Sequence, residues 1–202
     1  VATAAALAGC ALPGAAPQPA CPHQPATAAT PAQLWPCARD AAAAWRPGAE
    51  LYAVEGAAGI ANGTPAPADE RPLDGAAPQW GFTFADLAAR TSATFVVEAN
   101  GSLNASLHFS WRPGEKPAPH PDGYQDPLPV SFLDAWRLHG AALDNATTAP
   151  WADRDAYHAY SLVSVAGKRP AWLVISGGSP DALYAEFDPA TWTVVGARLV
   201  PD

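Results

Sequence analysis

The sequence predicts an α+β fold of two tandem units, each a helix packed on a small antiparallel β-sheet. Three observations predict it. The triplet Ala44-Trp45-Arg46 recurs as Ala135-Trp136-Arg137. A second Trp opens an apolar run downstream of each, Trp80 in QWGFTF and Trp172 in AWLVIS, and the Trp-to-Trp spacing of the two halves differs by one residue. Each run is followed by a further aromatic strand, FVVEA from Phe95 and YAEFD from Tyr184, and then by a turn and a last strand. Self-similarity at a fixed offset is the mark of a duplicated unit.

Each half reads in the same order. Helices are expected near residues 38–46 and 131–142, the second with Ser131 as N-cap and Asp134 where a capping-box carboxylate stands. Leu51–Gly56 and Tyr160–Val165 are the next strands. Asn100-Gly101 is a two-residue hairpin signal. The run from Leu103 alternates apolar and polar residues up to Trp111, as a half-buried strand does. Asp188-Pro189-Ala190-Thr191 is a type I turn candidate. Trp45, Trp80, Trp136 and Trp172 stand at matched positions and are therefore assigned to the core. Six prolines between residues 112 and 130 exclude regular structure there. The units are thus residues 34–111 and 131–202, joined by a proline-rich linker.

The N-terminal segment reads as targeting, not fold. Leu7-Ala8-Gly9-Cys10 resembles the bacterial lipobox, which implies a signal peptide over residues 1–9 and lipidation of Cys10. Residues 10–33 are rich in Pro and Ala and lack periodicity, the composition of a semi-rigid tether. Cys21 and Cys37 are then the remaining pair, and one disulfide suits an oxidising envelope compartment. A metal site with His23 is the rival reading, but it falls short of a tetrahedral ligand set.

The net charge of -8 repels phosphate backbones, which argues against nucleic acid as a partner. No run of about 20 apolar residues is present, so contact with a membrane is expected through the N-terminal lipid alone. All four Asn (Asn62, Asn100, Asn104 and Asn145) begin N-x-[ST] triplets. Turn chemistry and N-glycosylation both account for them, and the lipobox-like segment favours the former.

The helix-plus-sheet order and the segment YAEFDPATWTVV resemble the PepSY-like and β-lactamase-inhibitor-like group of exported proteins. The pattern is an aromatic strand, an Asp, a short turn and a hydrophobic strand, with Trp192 where the group usually has Gly. The resemblance implies binding or inhibition of an envelope protein and supplies no active-site residues.

A search for chemistry finds little. G-x-S-x-G, the P-loop and G-x-G-x-x-G are all absent. Asp153, Asp155 and His158 form the densest polar cluster. It reads as a solvated strand entry or, in the alternative, as the site of a metal-dependent hydrolase. No cofactor is expected. Trp111, Trp151 and Trp192 lie at element ends or in loops, where exposed Trp favours partner binding. The expected function is a non-catalytic protein-binding or inhibitory module, lipid-anchored in the cell envelope. A chaperone-like assembly factor is the third reading.

Overall fold

The computed structural model describes residues 21, 27–57, 60–61, 64–65, 71–110, 126–163, 169–177 and 181–201. Cys10 and Trp111 lie outside the described residues, as do His23 and residues 112–125 of the linker.

The first helix, α1 (Pro31–Trp45), starts inside the stretch read as tether. Its start is locally encoded. Pro31 supplies a pre-set φ at the first helical position, and the Thr30 N–H donates to Gln33 Oε1 at 2.8 Å, the reciprocal arm of a capping box. Leu34, Cys37, Ala38, Ala41 and Ala42 are buried, a stripe at helical spacing whose alanines let the helix approach the sheet closely. Cys37 on this stripe is bonded to Cys21, with Cα atoms 5.2 Å apart. The disulfide fastens the segment before α1 to its second turn. Closing a loop of this length is worth about 3 kcal/mol in the chain-entropy model.

Strand β1 (Glu50–Ala57) follows, and a small ribbon of β2 (Ile60–Ala61) and β3 (Thr64–Pro65) lies beyond it. Then come β4 (Gln79–Asp86), β5 (Thr91–Glu98) and β6 (Leu103–Ser110). The β5–β6 hairpin turns at Asn100-Gly101. Gly101 has φ +88°, the left-handed conformation that glycine adopts without cost. The later strands are β7 (Tyr157–Val163), β8 (Ala171–Gly177), β9 (Asp181–Asp188) and β10 (Thr193–Pro201).

The expectation of two helix-on-sheet units is overturned. Eight strands form one antiparallel sheet in the order β10-β9-β8-β7-β1-β4-β5-β6. The seam is the pairing of β1 with β7, from Ala53↔Val163 to Ala57↔Ala159. Once these two strands pair, neither half keeps a separate sheet. The order is mirror-symmetric about this seam, which is how a repeated sequence yields one undivided sheet.

The helical layer is not repeated either. Where a helix over residues 131–142 was expected, a 3-10 turn (Val130–Leu133) is followed by α2 (Arg137–Leu143) and the single turn α3 (Ala149–Ala152). Tertiary contacts break the helix. The Phe132 carbonyl accepts the indole N–H of Trp172 at 2.9 Å, which ties the 3-10 turn to the sheet. Gly75 (φ +70°) crosses directly against the Ala135 carbonyl, which a Cβ at position 75 would strike.

The core lies between the helices and one face of the sheet. Trp80, Phe82, Phe84, Ala93, Phe95 and Val97 fill it on one side of the seam, and Tyr160, Leu162, Trp172, Val174, Leu183 and Phe187 on the other. Trp80 and Trp172 meet edge-to-face across the seam, with centroids 5.9 Å apart, and Trp80 lies 5.6 Å from Tyr160. Both indoles also latch the helical layer. Trp80 Nε1 donates to the Ala29 carbonyl just before α1, and Trp172 Nε1 to the Phe132 carbonyl. In the other matched pair, Trp45 still packs against the core and only Trp136 departs from the core assignment. Trp45 is half-buried against Phe95, and Trp136 is 57% exposed because the broken helix turns it outward.

Candidate binding face

Strand alternation sends every second residue to the face away from the helices. On β7 and β8 these are Ala159, Ser161, Leu173 and Ile175, and on β4 and β5 they are Gln79, Gly81, Thr94 and Val96. One end of this face is buried at Ala53, Thr83, Ala85 and Val163. The other end is open and holds a depression of about 450 Å³ over the seam. Its floor is made of small residues, among them Gly81, Ala159 and Ser161, and its walls include Val96, Leu173, Ile175 and Tyr184. Ile175 is 47% exposed although it sits in mid-strand.

The charges on this face are mostly acidic. Glu55 is exposed on β1, and Glu98 and Glu186 are half-buried on β5 and β9. Arg198 on β10 lies over the Tyr184 ring at 5.1 Å. An apolar depression among carboxylates suits recognition of a partner surface. Among the described residues that line it, no hydrogen bond joins a hydroxyl to a carboxylate or imidazole.

No family model, curated protein or solved structure matches the chain.

The three residues of the hydrolase alternative do not converge. His158 is turned into the core in phase with Tyr160 and Leu162. Asp153 is on the surface and accepts from His139 Nε2 at 2.7 Å, and Asp155 is exposed. Among the described residues, no group of three or more His, Cys, Asp or Glu stands close enough to hold a metal ion.

His158 instead serves the fold. It is 1% exposed. Its Nε2 lies 2.9 Å from the Arg71 carbonyl, which can only accept, so this nitrogen carries the proton. Nδ1 is then left to accept from the Ser176 hydroxyl at 2.7 Å. Desolvation holds its pKa down at about 4, against the hydrogen bond to the Arg71 carbonyl and the Asp74 charge, which raise it, while the Arg71 guanidinium lowers it. The ring thus fastens the segment from Arg71 to Ala77 onto the sheet. That segment also bridges Ala156 and Ala152 through Arg71 and Leu73 backbone hydrogen bonds.

The Trp residues expected to meet a partner are redistributed. Trp151 is 5% exposed, packed into the core on α3 beneath the Arg154 guanidinium, so it is no surface anchor. Trp192 is half-buried in the β9–β10 turn at φ +55°, a left-handed conformation that usually calls for Gly. Arg137 lies between Trp192 and the exposed Trp136, at 5.6 and 5.2 Å from the two rings. Sequence reasoning missed the open sheet face. Its signal was present, since Leu173 and Ile175 are out of phase with the buried Trp172 and Val174.

Proposed function

We propose that the protein is a non-catalytic protein-binding module of the cell envelope that engages its partner through the open end of this sheet face. The observation that carries the reading is the depression over the β1–β7 seam, with Leu173 and Ile175 left partly or largely exposed above a floor of small residues. An apolar patch rimmed by polar groups is the usual character of an interaction site. The envelope location is supported by the lipobox-like Leu7–Cys10 segment and by the Cys21–Cys37 disulfide, a bond that persists in oxidising compartments. Acylation of Cys10 would tether the domain to a membrane surface and concentrate it near partners there.

Ile175→Asp tests this reading. The residue is exposed on the open face, so the fold is expected to survive the change. Wild-type protein immobilised in envelope extract is expected to retain one saturable partner. The variant, with unchanged circular dichroism, is expected to bind it at least about tenfold more weakly, as loss of an apolar anchor does. Equal retention by both proteins would remove the face from the account.

A further inference from the structure

The partner's chemistry can be read from the register of this face, given the proposed reading of it as a binding surface. One cross-strand row runs Val96, Gly81, Glu55, Ser161, Leu173, Glu186. Glu55 and Glu186 lie three strands apart, roughly 14 Å at the usual strand spacing. Neither carboxylate is in a salt bridge among the described residues. Between them in the row are Ser161 and Leu173. In the neighbouring row Ala159, Ile175 and Tyr184 continue the apolar strip.

An extended polypeptide rises about 3.3 Å per residue and points alternate side chains the same way. Residues i, i+2 and i+4 therefore share a face, and the outer two are roughly 13 Å apart. That is close to the span of three strand spacings between the backbone positions of Glu55 and Glu186. We infer that the face recognises an extended segment of the pattern basic–x–apolar–x–basic, laid across the strands. Its two cationic side chains meet Glu55 and Glu186, and its central apolar side chain rests over Leu173 and Ile175.

Charge decides against the other occupants. A second copy of this chain would bring Glu55, Glu98 and Glu186 against the same carboxylates, and like charges across an interface are costly. Within the described strands, the opposing charge on this face is Arg198, at the far β10 edge over Tyr184. A phosphate-bearing ligand meets the same acidic repulsion.

The probe is a random dodecapeptide library displayed on phage and panned against the full chain, followed by titration of synthetic peptides from the enriched pool. The expected pool carries Lys or Arg at i and i+4 around an aliphatic or aromatic i+2. Its binding should fall roughly tenfold in Glu55→Gln and in Glu186→Gln and weaken with added salt, and it should be lost in Ile175→Asp. A pool without basic residues, indifferent to both Gln substitutions but lost in Ile175→Asp, would overturn the charge pattern and leave the binding face standing. A pool indifferent to Ile175→Asp, or no enrichment, would overturn the charge pattern and the binding face together.

Discussion

Trp80→Ala is expected to cost about 3–5 kcal/mol of stability, the range for truncating a fully buried aromatic side chain. Trp80 has no exposed surface and touches both Trp172 and Tyr160, so its removal opens a void at the seam between the two halves. The site is shaped for this one side chain. Gly56 lies opposite it on β1, and a Cβ there would stand 2.6 Å from Trp80 Cε3. Trp80→Phe separates packing from hydrogen bonding, because it retains a ring and loses the indole N–H. The Ala29 carbonyl would still accept from the Ala77 N–H at 3.0 Å, so this loss should add only about 1 kcal/mol to the packing change. Urea unfolding of the three proteins measures the differences. A Trp80→Ala protein within about 1 kcal/mol of wild type, small for a core truncation, would contradict the packing described.

Acid is expected to weaken the fold through His158. Its folded pKa of about 4 lies below the ordinary 6.5, so the unfolded chain binds the extra proton first. The contribution is complete above pH 6.5, declines as pH falls through the window between the two values, and is gone below about 4. A difference of this size corresponds to about 3 kcal/mol. The structural consequence is local. A protonated ring donates from both nitrogens, so the Ser176 hydroxyl must turn from donor to acceptor within a closed site. The check is denaturant unfolding between pH 7.5 and pH 4 of wild type and His158→Gln. Wild type should lose the larger amount of stability by about 3 kcal/mol. Parallel pH profiles would show that His158 is not held neutral.

Local features of the fold were legible because local chemistry determines them. Asn100-Gly101 makes its hairpin and Cys21 pairs with Cys37, whereas the helix start at Pro31 and Gln33, although equally local, was read as tether because the stretch before it is rich in Pro and Ala. The recurrence of Trp80 and Trp172 pointed to two residues that play the same part in their halves. What periodicity could not reveal is which strand edges meet. The alternation in β1 and β7 specifies their faces but carries no record that Ala53 pairs with Val163. The broken helix was hidden for a similar reason, since the competing partners, Trp172 and the backbone at Gly75, come from remote segments.

The site was legible only in part. His158 drew attention as a polar residue in an acidic cluster, yet its phase with Tyr160 and Leu162 already placed it on the buried face of its strand. Trp151 looked like a loop residue because a single helical turn leaves almost no periodic signal. Glu55 and Glu186 are far apart in sequence and share a row only after the seam has formed.

Site-specific photo-crosslinking would test the central claim most directly. Ile175 and Leu143 are equally exposed, at 47% and 46%, and lie on opposite layers of the molecule, one on the sheet and one on α2. A benzophenone side chain would replace each in turn in the full chain, followed by irradiation in envelope extract. The account predicts one dominant adduct from position 175, competed away by unlabelled protein, and none from position 143. An adduct from position 143 with nothing captured at 175 would contradict it and place the interaction on the helical layer.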